Sequence, residues 1–260
     1  MNYAGLVSVT HRDLSADAIV DLAVQAGLDG IEWGGDVHVP HGNISEAKRV
    51  GCVMRDAGLA VSAYGSYYRV GVSERDGLRF ESVLASADAL RAPVIRVWAG
   101  TQDFEDADAD SRKNAVADLR RICAMAERCR ITVAMEYHFG TLNSSPEGTR
   151  YLIRETGAEN LKTFWQPQTG SSDEAAVQSI LGVQDFLSNV HVFHWPSGRG
   201  DQTLLEEASE RWIRFIRILA EIPGRRFLSL EFVKDSCREN TIRDAAVLRR
   251  WLEKQKGRVR

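Results

Sequence analysis

Glu136, His191 and Glu231 are the residues of this chain whose types and positions best support chemistry. Each lies at or near the C-terminal end of a short apolar run: Ile-Thr-Val-Ala-Met-Glu at 131–136, Asn-Val-His-Val-Phe-His at 189–194 and Phe-Leu-Ser-Leu-Glu at 227–231. A carboxylate in such a run is costly to bury unless a cation, a donor network or a metal meets it. Two carboxylates and an imidazole converging on one point are a donor set for a hard-to-borderline divalent cation. The competing use of either carboxylate is an ion pair with Arg96, in Pro-Val-Ile-Arg-Val-Trp. A fourth run, Leu-Lys-Thr-Phe-Trp-Gln at 161–166, ends on Gln166, whose amide oxygen binds a cation without contributing charge.

The elements that must position these groups are legible as a repeated phrase. Ala-Val-Gln-Ala-Gly-Leu-Asp-Gly-Ile-Glu-Trp at 23–33 is echoed at 54–64 and again at 153–164. In each, a helix stops at a Gly that can turn left-handed, and a β run follows. Ser145-Pro146-Glu147 marks a helix start, with a capping hydroxyl, a proline at the first helical position and a carboxylate on the positive end. The pattern predicts strands at 4–9, 29–34, 60–65, 93–98, 131–136, 161–166, 189–194 and 226–231. It predicts helices at 15–26, 44–57, 73–91, 110–129, 146–156, 173–182, 203–221 and 239–254. Strict alternation predicts a parallel sheet with helices outside it. Eight cycles in a chain of 260 residues favour one closed (β/α)8 TIM barrel over 1–260, in which the strand C-termini share one mouth.

The totals narrow the function. A composition 44% hydrophobic and 27% charged is that of a globular protein able to bury a large core. The net charge of −3 argues against a broad nucleic-acid surface. Cys52, Cys123, Cys129 and Cys237 show no paired spacing and read as reduced thiols of a cytoplasmic protein. The first residues carry no secretory signal pattern and no run is long enough to span a membrane. There is no Walker-type loop and no Gly-x-Ser-x-Gly elbow.

All six histidines, His11, His38, His41, His138, His191 and His194, fall at or just after predicted strand ends, and none falls in a predicted helix. That clustering on one barrel face points to a site. Alternation along 189–194 puts His191 and Phe193 on one face and His194 on the other, so His191 is the expected ligand and His194 a substrate contact beyond the strand end. Trp33, Tyr64, Trp98 and Trp195 are strand-end aromatics that either stack on a sugar or pack the mouth. Arg96 is open between substrate contact and ion pair. Arg199, in Pro-Ser-Gly-Arg-Gly-Asp, is a loop cation able to grip a hydroxyl or an anion.

Glu136 in Met-Glu-Tyr-His, His191 in Val-His-Val-Phe-His, Glu231 in Ser-Leu-Glu-Phe, and Gly30-Ile31-Glu32-Trp33 followed by His38 together resemble the sugar phosphate isomerase/epimerase family, the xylose isomerase-like TIM barrels. The resemblance runs through nearly the whole chain in order. It implies a divalent metal (manganese, cobalt, magnesium or zinc) held by Glu136, Gln166, His191 and Glu231, with Glu136 and Glu231 also exchanging protons with a sugar carbon. Together with the strand-end and loop positions, the candidate substrate contacts are Trp33, His38, Arg96, Trp98, His138, His194 and Arg199; the resemblance implies a small carbohydrate substrate and a homo-oligomer, for which the sequence shows no interface signature. The departure is Gln166: the family presents Asp there, with His three residues on, whereas this chain has Gln166-Pro167-Gln168-Thr169. Gln168 and His138 are the candidate replacement ligands.

The expected activity is therefore isomerisation or epimerisation of a ketose or related sugar through an enediolate. The alternative is a metal-dependent lyase on a keto-sugar or keto-glycoside, since an enediolate with a leaving group β to the carbonyl expels it. An abasic-site endonuclease fits less well, because the acidic balance and the missing Asp-x-x-His oppose it. A non-catalytic sugar-binding protein would need the intact Glu136, His191 and Glu231 to have survived without use.

Overall fold

The computed structural model describes residues 1–198 and 200–256. Eight parallel strands close into a barrel in chain order: β1 (Asn2–Val7), β2 (Gly30–Gly34), β3 (Ala60–Arg69), β4 (Val94–Trp98), β5 (Thr132–Met135), β6 (Leu161–Trp165), β7 (Leu187–Val192) and β8 (Arg226–Leu230). β8 closes on β1 with Ala4 opposite Leu228 and Leu6 opposite Leu230. The outer ring is α1 (Ala16–Gln25), α2 (Ile44–Asp56), α3 (Phe80–Leu90), α4 (Ala109–Arg128), α5 (Pro146–Thr156), α6 (Asp173–Val183), α7 (Ser209–Glu221) and α8 (Arg238–Lys256). This is the single (β/α)8 barrel the sequence predicts.

Local chemistry explains the boundaries. Ser15, Asn43, Asp108, Ser145 and Ser172 each accept a hydrogen bond from a first-turn backbone N–H of α1, α2, α4, α5 and α6, satisfying donors the helix cannot. The three expected stops take positive φ: 65° at Gly27, 71° at Gly58 and 70° at Gly157.

Two helices start later than predicted. α3 begins at Phe80 rather than near residue 73 because β3 overruns its expected end at 65 and continues to Arg69. The following turn is pinned by Ser73 Oγ, which accepts from Arg69 N, and by Asp118, which accepts from Gly71 N. α7 begins at Ser209 because Leu205–Ala208 form a 3-10 turn first.

Outward-facing strand residues build the core against the helices. Trp165 lies edge-on to Trp212 and Phe215 of α7, and its indole N–H donates to Ser179 of α6. The Trp212 N–H donates to the Phe193 carbonyl, which fixes the exit of β7 just beyond His191. Each such fully buried side chain contributes about 1.5–3 kcal/mol by its burial. Inside the barrel, Ala63, Val94, Ala134 and Phe164 form a separate apolar layer. The site is built one step above it, two residues further along each strand.

Asp244 of α8 is 3% exposed and accepts from Leu205 N at 3.0 Å, holding the turn before α7. Burial raises its pKa to about 6 from 3.8, with Glu206 and Glu207 adding to the rise against that hydrogen bond and Arg243. A raised carboxylate binds its proton more tightly folded than unfolded, so this group's contribution falls as pH rises from about 4 through about 6. The full swing is roughly 3 kcal/mol. Asp244→Asn keeps an acceptor and loses the charge. It is expected to raise the melting temperature by a few degrees at pH 7.5 and by much less at pH 5. Equal gains at both pH values in thermal melts would rule out ionisation as the cause.

Candidate active site at the barrel mouth

The apolar interior layer gives way to polar groups at the strand ends. Val94 is followed two residues on by Arg96, Ala134 by Glu136, Phe164 by Gln166, and Asn189 by His191. On β8, Ser229 is followed by Glu231, and on β2 Gly30 is followed by Glu32. All six polar groups are buried.

Arg96 joins the two sides of this layer. Its Nε donates to Glu32 Oε1 at 2.6 Å and its Nη1 donates to Glu136 Oε2. Glu32 in turn accepts from His191 Nε2 at 3.0 Å through its other oxygen. The opposite ring nitrogen, Nδ1, therefore faces the remaining groups: Gln166 Oε1 at 3.0 Å, Glu231 Oε2 at 3.4 Å and Glu136 Oε1 at 3.9 Å. A carboxylate behind one nitrogen of a histidine is what aims the other at a metal.

The charges explain the titration behaviour. Burial alone would raise the Glu32 pKa, but Arg96 and His191 bring it down to about 2. Burial would lower that of His191, but Glu231, Glu32 and Glu136 carry it up to about 9. Glu231 is pushed up to about 7 by burial and by the neighbouring Glu136, against His191 and Arg96. The cluster thus holds more carboxylate than its own cations balance.

Glu136, His191 and Glu231 each offer a ligand atom, all within 4.8 Å of one another. Two carboxylates, an imidazole and the adjacent Gln166 amide match the preferences of a borderline divalent ion, so the residues present fit a metal.

Above the cluster lies a cavity of about 670 Å³. Its floor and walls include Glu136, Glu231, Gln166, Gln168, Arg96, Trp98 and His138, together with Trp195 and Phe232. One wall is a stack: Arg69 over Trp98 at 4.3 Å, Trp98 against His138 at 4.7 Å, and His138 against Phe139 at 4.3 Å. His138 Nδ1 donates to the Phe139 carbonyl at 2.5 Å. That fixes the tautomer and leaves Nε2 an acceptor.

Three expected contacts do not reach this cavity. Because Glu32 points inward, Trp33 points outward and is packed with no exposure against the helix layer. His38 uses both ring nitrogens in binding the first two loops together, Nδ1 with Ser8 Oγ at 2.9 Å and Nε2 with the His11 carbonyl at 3.2 Å. His194 lies past the end of β7 and off the cavity lining. Arg199 lies outside the described residues.

Sequence reasoning overlooked Glu32, Arg12, Tyr67 and Phe232. Glu32 carried the same signal as Glu136, a lone charge in an apolar strand. Arg12, Tyr67 and Phe232 line the cavity from loops and strand overruns that carry no periodic signal.

A model of the xylose isomerase-like TIM barrel family matches residues 20–255. The chain belongs to that family. A 3-dehydroshikimate dehydratase of Bacillus anthracis is 26% identical over 164 residues, 60% of this chain and 58% of that protein's length. Among solved structures, a probable 3-DHS dehydratase from Bacillus anthracis, involved in petrobactin synthesis, superposes with a TM-score of 0.79 at 20% identity, over 96% of this chain and 99% of that one. A 3-keto-D-glucoside 4-epimerase from E. coli gives 0.71 at 16% identity, over 96% and 100%. These structural likenesses establish the barrel. No described helix is long and apolar enough to cross a membrane.

Gly65 of β3 sits opposite Arg96. A β-carbon there would lie 2.6 Å from Arg96 Nη2 and 3.0 Å from Glu32 Oε1. Arg96 is held by two carboxylates and cannot swing away. Gly65→Ala is therefore expected to destabilise the fold by about 1–3 kcal/mol, read as a lower urea midpoint; an unchanged midpoint would mean that the Arg96 pair yields freely.

Proposed function

We propose that this chain is a metal-dependent lyase that enolises a small polyhydroxylated ketone and eliminates water across the carbons α and β to the carbonyl. The observation that carries this reading is an asymmetry in the site. Two carboxylates meet at its floor, but Glu136 is tied to Arg96, while His138 offers a free imidazole nitrogen from the wall.

Glu136, His191 and Glu231, with Gln166 beside them, would hold the metal. When bound, a divalent cation polarises the ketone and supports the charge of the enolate. His138 Nε2 is the base. It removes the α-proton, and its Nδ1–H bond to the Phe139 carbonyl supports the imidazolium that forms. The C–H electron pair becomes the enolate double bond, and collapse of the enolate expels the β-hydroxyl group. Trp98 holds the His138 ring in plane against the wall, and the aromatic rim formed by Trp195 and Phe232 limits access of water. The dehydratase named among the relatives supports elimination.

The second reading, epimerisation, is favoured by the position of Glu136 and Glu231 after β5 and β8, well separated around the barrel. It requires Glu136 to exchange a proton while Arg96 occupies one of its oxygens, which is why elimination is preferred.

Thermal melts with manganese, cobalt, magnesium and zinc, followed by NMR in D2O with 3-dehydroshikimate, ketoses and 3-keto-glycosides, test both readings. Metal-dependent stabilisation with loss of water is expected. Deuterium uptake without elimination would favour the epimerase, and neither stabilisation nor uptake would sink the proposal. His138→Gln is expected to lower kcat by on the order of 10²–10⁴-fold while leaving the metal-induced shift in melting temperature in place.

A further inference from the structure

Tyr67 has a backbone that a bulky residue rarely adopts. Its φ is 55°, in the left-handed region that is costly for an aromatic side chain and persists only where the surroundings over-determine it. The neighbours do so. β3 pairs Gly65 with Arg96 and then Arg69 with Trp98, so four steps of β3 span two of β4. Ser66 Oγ replaces a ladder bond by donating to the Arg96 carbonyl at 2.6 Å. Tyr68, fully buried, is anchored outward by its hydroxyl on Asp118 at 2.9 Å. With both neighbours fixed, the irregularity turns Tyr67 into the cavity, a known use of bulges beside active sites.

Tyr67 lies under the Arg96 guanidinium, whose carbon is 5.0 Å from the ring centroid, and beside Trp98. Arg12 lines the same cavity and is held in place by Asp36 at 2.7 Å. A guanidinium has donors only. Toward Arg12 the phenol oxygen can act only as an acceptor, which leaves its own hydrogen for donation into the cavity both residues line. Burial keeps that phenol protonated, raising its pKa against the pull of Arg96.

We propose that Tyr67 is the catalytic acid that protonates the departing hydroxyl group in the elimination, with Arg12 stabilising the phenolate left behind. This role rests on the elimination reading given above. The β C–O bond breaks with its electron pair on oxygen, the Tyr67 O–H bond breaks, and that proton completes a water molecule. His138 then carries the α-proton as imidazolium and Tyr67 carries a negative charge. Transfer of one proton from imidazolium to phenolate through solvent restores both groups.

The test separates the two halves of the reaction in Tyr67→Phe, using 3-dehydroshikimate and the loaded enzyme in D2O. Deuterium exchange at the α-carbon should stay within a few-fold of the unmodified enzyme, while water loss falls by on the order of 10²-fold or more. An analogue acetylated at the β-hydroxyl, whose acetate leaves without protonation, should recover most of the loss. Thermal melts, independent of turnover, should differ little. Equal loss of exchange and elimination, no loss of either, or no recovery with the acetylated analogue would each overturn the role of Tyr67 while leaving the elimination reading intact. Exchange without water loss in the unmodified enzyme, or no reaction at all, would overturn that reading and this role with it.

Discussion

A guanidinium with almost no exposed surface, bridging two carboxylates inside the barrel, sets the terms for the rest of the structure. Arg96 could not be buried unpaired, and its pairing with Glu32 and Glu136 recovers the cost only if β2, β4 and β5 hold their register to a fraction of an ångström. Gly65 follows from the same constraint, because the strand between β2 and β4 must present no side chain at that level. Glu32 then has one oxygen left, and that oxygen orients His191. One ion pair thus fixes a histidine two strands beyond the pair's own neighbours.

The second organising fact is the single-step change of character along the strands. Ala63, Val94, Ala134 and Phe164 make a dry plug, and the next inward residue on several strands is ionisable or an amide. Phe164 meets His191 edge-on at 5.3 Å, so the plug also serves as the floor under the imidazole. The alternate residues, Ile95, Val97, Val133 and Met135, belong to the outer core. Stability and site are therefore carried by interleaved sets of residues on the same strands, and the low-dielectric floor strengthens every charge interaction above it.

This interleaving explains what the sequence disclosed. The barrel was readable because glycine stops follow α1, α2 and α5 and polar caps open five of the eight helices, and Glu136 and Glu231 stood out as charges closing apolar runs. Glu32 meets the same criterion, but inside Gly30-Ile31-Glu32-Trp33 it is masked by the family-like segment around it. Trp33 at a strand end and His38 in the family-like segment after it are contacts the sequence predicts. The two-residue period sends Trp33 outward, and His38 is consumed by Ser8 and the His11 carbonyl. Tyr67 was invisible for a different reason. Its position depends on extra residues in β3 whose only sequence sign is a chain of small and aromatic residues, Ala-Tyr-Gly-Ser-Tyr-Tyr, equally compatible with a strand that ended at 65. Arg12 reaches the cavity from the loop after β1 by the length of its side chain, which no periodicity encodes.

Gln166 acquires a physical sense once Glu32 is counted. Three buried carboxylates, Glu32, Glu136 and Glu231, face one permanent cation, Arg96, so the ionised cluster carries two negative charges when His191 is neutral. A divalent cation held there would bring that sum to zero. An aspartate at 166 would leave one uncompensated negative charge there, which is expensive where the dielectric is low. An amide supplies the oxygen without the charge. With Glu32 in the count, an amide at 166 is the residue whose neutral charge would let a divalent cation balance the cluster.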